Sequence, residues 1–312
     1  ALECVAPTVC GSASDSIGVT PVPTNPLNSV ASYNGVTLDF GNSSSSSATL
    51  TNTYSDTGST RLWARYELLN SAGGSTGNYV EGSSNAFVNI PAGFCIESSD
   101  PNWQCVSPGL SAACSAFTQA GKNFNLSVTA KDYNGGNTDY CSNSTTQNFT
   151  GTVNVAHNLV SPTALDGGVK GVFSASNVSL TSGVSSTITS ISEMGVFTVD
   201  AGGNAYMSVT LPSNTSDNIG RFNPSNFTIT SNNAATYDNG NAGFTYTGQL
   251  ESDGTTGSIS YLTAPDFTFE VRGFNNQRLH NFLVPLNSTP VATVAASSAT
   301  LGSLSTNMTL TS

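Results

Sequence analysis

Charged residues are scarce in this sequence: they make up 9% of the 312 residues, against roughly 25% in an average globular protein. Hydroxyl and amide side chains supply the polarity instead, since Ser and Thr together number 86 and Asn 33. The 8 Lys and Arg are outnumbered by 19 Asp and Glu, so the net charge is −11. With so few Lys and Arg residues, the protein lacks the basic surface that would bind nucleic acid or an anionic membrane. We expect an exported or polymeric protein with no nucleic-acid partner.

Long apolar runs are also missing. None approaches the roughly 18 residues that indicate a membrane-spanning helix, so we expect no membrane span. No segment shows sustained helical periodicity. The sequence has no signal peptide at Ala1, which predicts a mature form or an excised segment.

Catalytic motifs are absent too. The two histidines, His157 and His280, are not placed by the sequence beside an acid and a nucleophile, and both are predicted to lie on the surface or in loops. Gly-x-Ser-x-Gly, Gly-x-Gly-x-x-Gly and the phosphate-binding loop do not occur. We therefore predict that the protein is not an enzyme.

A long internal repeat is present instead. The segment Tyr54-Ser-Asp-Thr-Gly58 returns as Ile191-Ser-Glu-Met-Gly195, and Pro91-Ala-Gly-Phe94 returns as Pro224-Ser-Asn-Phe227. Asn148-Phe149 is matched in the same way by Asn281-Phe282. The spacing is far longer than the roughly 20–50 residues of a solenoid repeat, which indicates that whole domains are repeated.

Alternating apolar residues predict β-strands. The clearest strand covers residues 123–130, where Phe124 and every second residue after it are apolar. Residues 36–40 alternate as well. Residues 61–68 predict a strand whose odd-numbered side chains, apart from Trp63, are exposed.

These patterns predict an all-β protein of tandem immunoglobulin-like β-sandwich domains. The repeat divides the chain into a first unit (residues 1–90), short at its N-terminus, and a second, disulfide-stapled unit (residues 91–222). A third unit (residues 223–312) lacks the counterpart of the last strands, so we expect it to be incomplete at its C-terminus.

Six cysteines predict three disulfides and an oxidising compartment, because they match no zinc-binding spacing. They are Cys4, Cys10, Cys95, Cys105, Cys114 and Cys141. Nearest-neighbour spacing favours the pairs Cys4–Cys10, Cys95–Cys105 and Cys114–Cys141, one of the 15 connectivities that six cysteines allow. Free buried thiols are the alternative.

Two features are candidate ligand sites. Asp132, Asn134, Asn137 and Asp139 surround two glycines, and oxygen ligands near a glycine turn are what calcium requires. An ordinary Asn/Gly turn is the alternative, since the spacing is not that of an EF-hand. Trp63 and Trp103 could stack on a sugar ring. The alternative for both is a role as a core or interface anchor.

Several short segments together resemble one family. They are Ala1-Leu-Glu-Cys4-Val-Ala-Pro7, Asn85-Ala-Phe87 with Pro91-Ala-Gly-Phe94, Phe117-Thr-Gln-Ala-Gly121 between Cys114 and Cys141, Asn148-Phe-Thr-Gly151, Gly220-Arg-Phe-Asn-Pro224-Ser-Asn-Phe227, and Phe244-Thr-Tyr-Thr-Gly-Gln249. The chain is similar to the large extracellular region of MshQ-type proteins, which are associated with biogenesis of the mannose-sensitive haemagglutinin type IV pilus. The resemblance implies secretion, β-sandwich repeats and a pilus or surface-adhesion setting.

Three hypotheses follow. The first is a non-enzymatic extracellular structural or adhesive protein of a pilus or surface filament, whose partners are copies of itself or pilus components. In this version a strand donated by a neighbour completes an open sandwich. The second is an adhesin segment, the stalk of a longer surface protein, that binds a cell-surface glycan or receptor. The third is a hydrolase on a β-scaffold.

Overall fold

A computed structural model describes residues 1–7, 21–22, 33, 35–40, 47–50, 54–106, 114–231, 236–237, 261–263, 267–283, 291–294 and 306–309. This part of the chain is all-β, which confirms the all-β part of the predicted fold class. Within the described residues, three single 3₁₀ turns interrupt the strands, at Tyr140–Ser142, Ala164–Asp166 and Asn281–Leu283. Among the described residues no helix has the length and apolar character needed to cross a membrane.

The described residues of the first unit form one sheet. Its strands are β1 (Leu2–Ala6), β2 (Pro21–Val22), β3 (Gly58–Leu69), β4 (Ser75–Ser83) and β5 (Phe87–Asn89). They are arranged in the order β2-β1-β3-β4, and β5 also pairs with β3. Residues 36–40, predicted as a strand, join no sheet.

The described residues of the second unit form two main sheets. Its strands are β6 (Gly93–Glu97), β7 (Thr118–Gln119), β8 (Phe124–Lys131), β9 (Gly151–Ser161), β10 (Asn177–Leu180), β11 (Val184–Thr189), β12 (Gly195–Gly202), β13 (Ala205–Tyr206), β14 (Val209–Thr210), β15 (Ser213–Thr215) and β16 (Ile219–Asn223). The smaller sheet has the order β11-β8-β6. The larger has the order β10-β9-β12-β16-β7, with β15 beside β12. The small β13–β14 hairpin lies outside both.

A single apolar core fills the space between these two sheets. Side chains of β8 alternate strictly between buried and half-buried, because successive residues of a strand point to opposite faces. The core draws Phe94 and Leu126 from the smaller sheet, and Phe197 and Phe222 from the larger one. Each fully buried side chain of this size stabilises the fold by about 1.5–3 kcal/mol.

Three pairs of short strands are described in the third unit. Its strands are β17 (Asn226–Ser231), β18 (Thr236–Tyr237), β19 (Tyr261–Thr263), β20 (Phe267–Arg272), β21 (Val291–Val294) and β22 (Thr306–Thr309). They pair as β17–β20, β18–β19 and β21–β22, and the Asn281–Leu283 turn follows β20.

The sequence repeat is also a structural repeat. Gly58 opens β3 and Gly195 opens β12, both at φ +137°. A Cβ at either glycine would lie 2.5 Å from the carbonyl oxygen of the residue before a proline, Ala6 or Ser161. That residue closes the neighbouring antiparallel strand in each case, β1 or β9. The first and second units therefore share one strand arrangement, with β3 as the counterpart of β12.

The third unit repeats the start of the second. Strand β17 pairs with β20 as β6 pairs with β8, and Phe227↔Val271 takes the place of Phe94↔Ala130. Val271 is therefore the counterpart of Ala130 in the third unit.

The prediction for the faces of β3 was wrong. Trp63 is buried and Arg65 is half-buried, where its guanidinium lies 4.5 Å from the centre of the Tyr79 ring. On the other face Tyr66 is 65% exposed and Leu68 is exposed as well. Alternation shows that two faces differ, but only the neighbouring elements decide which face is covered.

Two of the three predicted disulfide pairs, Cys95–Cys105 and Cys114–Cys141, were also wrong, although all four of these cysteines are bonded. Cys95 on β6 pairs with Cys141, and Cys105 pairs with Cys114. The 3₁₀ turn at Tyr140–Ser142 packs beside β6, which brings together two cysteines 46 residues apart. Cys4 is disulfide-bonded, and its predicted partner Cys10 lies outside the described residues.

Peptide mapping under non-reducing conditions is expected to recover the Cys95–Cys141 and Cys105–Cys114 pairs. Replacing the first pair by alanine should cost about 4 kcal/mol in the free energy of unfolding, since it closes the longer loop, and replacing the second about 2.5 kcal/mol. Urea unfolding of the two double variants measures this order. Recovery of Cys95–Cys105 would contradict the observed packing.

Gly195→Ala should destabilise the second unit by about 2–3 kcal/mol, because the new Cβ meets the Ser161 carbonyl and alanine avoids this φ. Gly82→Ala on β4 is the matched control, since a Cβ there meets no atom within 4 Å. Urea unfolding of both variants tests the difference. Equal effects would show that the close approach at Gly195 is unimportant.

Candidate functional site: unit junctions and a polar cleft

The structure places the two candidate tryptophans in different environments. Trp63 is 9% exposed, and its indole Nε1 donates a hydrogen bond to Glu3 Oε2 at 2.6 Å. A ring enclosed in this way cannot stack on a sugar, so the prediction of a binding role for Trp63 was wrong. Trp103 is half-buried against the core of the second unit.

Trp103 lines an open cleft of about 530 Å³. Tyr140 and three carboxylates line the same cleft, together with Asn214 and neighbouring polar residues; the carboxylates are Glu97, Asp139 and Asp217. Of the residues predicted as ligand sites, the structure therefore brings together Trp103 and Asp139. Aromatic rings beside hydrogen-bond acceptors suit a polar ligand with apolar faces.

Glycine allows one wall of this cleft to form. A Cβ on Gly93 would lie 2.7 Å from the ring of Tyr140, so this ring rests directly on the backbone of β6. Asp139 caps the turn that carries Tyr140, because its Oδ1 accepts a hydrogen bond from the Cys141 N–H. The Cys95–Cys141 disulfide fixes the same turn to β6.

The predicted calcium loop is organised by its own hydrogen bonds. Asp132 Oδ1 accepts from the N–H of Ser144, and Asn137 Oδ1 accepts from the N–H of Asp139. The Asn134 carbonyl accepts from the N–H of Asn137. Side-chain oxygens directed at separate N–H groups do not converge on a cation. The loop fits the alternative, an Asn/Gly turn.

One cluster has metal-ligand atoms close together among the described residues: Cys95, Glu97 and Cys141. Its two sulfurs form the disulfide described above. A sulfur in a disulfide is not the thiolate that binds a metal, so this cluster is not a metal site.

His157 was predicted at the surface and is buried instead. It lies on β9, and its ring packs between Phe173 and Phe197. Its Nε2 donates to the carbonyl oxygen of Lys170 at 2.9 Å. Burial lowers the pKa of His157, so the ring is neutral in the core at neutral pH.

The first and second units meet at a buried carboxylate. Asp56 Oδ1 accepts hydrogen bonds from its own neighbour, the Thr57 N–H at 2.8 Å, and from the Asn148 N–H of the second unit at 2.9 Å. Thr57 is fully buried. Burial raises the pKa of Asp56, and these two hydrogen bonds oppose the rise without cancelling it.

The second and third units meet in the same way. Glu193 Oε1 accepts from the Met194 N–H at 3.1 Å and from the Asn281 N–H of the third unit at 3.2 Å. Its Oε2 accepts from the N–H of His280 at 3.0 Å. The side chain of Glu193 is buried, whereas the His280 ring is 61% exposed.

Amide side chains complete this second junction. The Asn281 side chain donates to the carbonyl oxygens of Val169 and Met194 and accepts from the Val169 N–H. Gln277 donates to the carbonyl oxygens of Ala120 and Ser192. An apolar cluster lies beside these bonds, formed by Ala120, Met194, Val271 and Leu279 with Phe282 packed against it. The two units are therefore joined by interior-like contacts.

The sequence contained both parts of this pattern without linking them. Each repeat has an acidic residue two positions before the strand-opening glycine, and each has an Asn-Phe pair farther along. The structure shows that the acid of one unit binds the asparagine N–H of the next. A search for polar residues that recur with the repeat could have found them.

Asp56→Asn should be at least as stable as the wild type at pH 7, because the amide oxygen can still accept both hydrogen bonds without a buried charge. A raised pKa in the folded state means that protonated Asp56 stabilises the fold, and that this contribution is lost as the pH rises through the folded-state pKa. The difference in free energy of unfolding between the wild type and Asp56→Asn should therefore shrink as the pH falls toward 3.8, the ordinary pKa of an aspartate. Urea unfolding at pH 7 and pH 4 measures it.

Asp56→Ala is the companion variant. It leaves two buried N–H groups without their acceptor and should cost about 1–3 kcal/mol at both pH values. If Asp56→Asn were as unstable as Asp56→Ala, the hydrogen bonds would not be what holds this junction.

Comparison with known proteins identifies domains rather than an activity. Residues 90–190 match the family model for DUF6701, second domain, and residues 193–310 match that for DUF6701, third domain. No curated protein and no solved structure matches the chain. The boundary between the two matches falls just before β12, so strands from both domains build the core of the second unit.

Proposed function

We propose that this chain, in which the second and third domains of DUF6701 follow one another, is a non-enzymatic extracellular structural protein. In this proposal its tandem units are immunoglobulin-like β-sandwiches joined into a rigid series. The observation that carries it is the repeated junction, in which a buried carboxylate of one unit binds the asparagine N–H of the next.

The junction contacts support rigidity. Domains within a chain usually move relative to each other unless their interface is large or apolar. At the second junction Glu193 and Asn281 are both buried, and the Asn281 amide uses its oxygen and its NH₂ group in hydrogen bonds. Rotation between the units would leave these polar groups unpaired in a dry environment, which is costly.

The extracellular setting is supported by the cysteines and the composition. The Cys95–Cys141 and Cys105–Cys114 disulfides are typical of an oxidising compartment. The polar, weakly charged composition is compatible with an exported protein. The resemblance to MshQ-type proteins favours a pilus or surface filament as the place where such a series of units would act.

Small-angle X-ray scattering of the dilute monomer tests the rigid series. Wild-type protein should give the profile of one conformer, and Glu193→Ala should give the broadened Kratky profile of units that move independently. His280→Ala is the matched control, since it removes the 3.4 Å contact between the exposed ring Nδ1 and Glu193 Oε2 but keeps the backbone N–H that binds Glu193. A flexible profile for the wild type would contradict the proposal.

The cleft beside Trp103 favours a second candidate function, an adhesin that binds a cell-surface glycan. Trp103 and Tyr140 offer aromatic surface, and Asp139 and Asp217 offer acceptors for sugar hydroxyls. A glycan array should then give signals that Trp103→Ala loses and Trp63→Phe keeps. An array without signals would contradict the glycan-binding function and would not affect the structural proposal.

A further inference from the structure

The first unit exposes one apolar face of its sheet. This first-unit face consists of Leu62, Ala64, Tyr66 and Leu68 on β3 and Val80 on β4, where Tyr66 and Val80 are a cross-strand pair. The strand match between β3 and β12 makes Leu62 and Ala64 the counterparts of Val199 and Ala201. In the second unit these counterparts are fully buried, whereas Ala64 is exposed and Leu62 is half-buried.

The third unit also exposes an apolar face, on strands that correspond to the other sheet of the second unit. This third-unit face consists of Phe227 and Ile229 on β17 with Phe269, the cross-strand partner of Ile229, on β20. Phe227 and Ile229 are 47% and 52% exposed. Their counterparts on β6, Phe94 and Ile96, are 2% and 3% exposed.

The second unit shows how these two faces fit each other. There β6 packs over β12, and Phe94 and Ile96 share one core with Val199 and Ala201. The first-unit face is thus equivalent to the larger-sheet side of this core, and the third-unit face to the smaller-sheet side. The two exposed faces of one chain therefore correspond to the two sides of the core that is already packed within its second unit.

We propose that copies of this chain associate head to tail, with the third-unit face of one copy packed on the first-unit face of the next. The contact joins two different surfaces, so it leaves one of each kind free at the ends and can continue into a filament. Apolar faces removed from water drive the association. The inference rests on the proposed structural role and names the partner as a second copy.

Sedimentation velocity over a range of concentrations tests this contact. Wild-type protein should form species that grow with concentration. Tyr66→Asp should block the first-unit face and Ile229→Asp the third-unit face, so that each variant alone sediments as a monomer. Ile188→Asp is the matched control, because Ile188 on β11 is 68% exposed and lies outside both faces. It should assemble like the wild type.

Mixing the two blocked variants gives the sharper result. Tyr66→Asp keeps a working third-unit face, and Ile229→Asp keeps a working first-unit face, so an equal mixture should double in mass and stop at a dimer. Thermal melts followed by circular dichroism confirm that the variants are folded; the substituted side chains are exposed and should leave the melting temperature unchanged.

Three outcomes would overturn the proposal. They are a wild-type monomer at every concentration, loss of assembly in Ile188→Asp, and a dimer of Ile229→Asp alone, which would show that two first-unit faces bind each other. The scattering test of the unit junctions uses dilute monomer, so its result on the structural role stands whichever way sedimentation comes out.

Discussion

A buried carboxylate that accepts two backbone N–H groups links each described unit to the next. One N–H belongs to the residue after the acid, and the other belongs to the Asn-Phe pair of the following unit. Because the acceptor is withdrawn from water, its partners must keep their positions or leave an unpaired charge or N–H inside the protein. The relative placement of the units depends on this bond.

The core of the second unit is also shared between two sequence domains. Strands on both sides of the boundary at residues 190–193 build the core of the second unit, so a domain recognised in the sequence is not a closed packing unit here. Sheets with one apolar face need a partner sheet. Within the second unit that partner is present, whereas the first-unit and third-unit faces leave apolar side chains in solvent. The proposed assembly between copies would satisfy the same requirement by the same packing.

Local patterns predicted some elements well. The alternation at residues 123–130 correctly predicts β8, one residue shifted, because the period of two is a property of a single strand. Residues 36–40 alternate equally and join no sheet, since a strand also needs a neighbour to pair with. The calcium-binding interpretation of residues 132–139 does not fit for a related reason. Asp132 and Asn137 have suitable oxygens, but these oxygens already accept hydrogen bonds from nearby N–H groups. Of the candidate ligand residues, Trp103 and Asp139 meet in one cleft, which no spacing in the sequence could show.

The sequence by itself determined the all-β class, the disulfide-bonded state of the described cysteines and the repeat of Gly58 in Gly195, because these depend on residue type and order along the chain. Only the tertiary structure decided that Cys95 meets Cys141, that Trp63 is buried while Tyr66 is exposed, and that Glu193 binds Asn281. Each of these joins residues far apart in the chain. Such contacts follow from how sheets pack and register, and a one-residue change of register reverses which face meets the core.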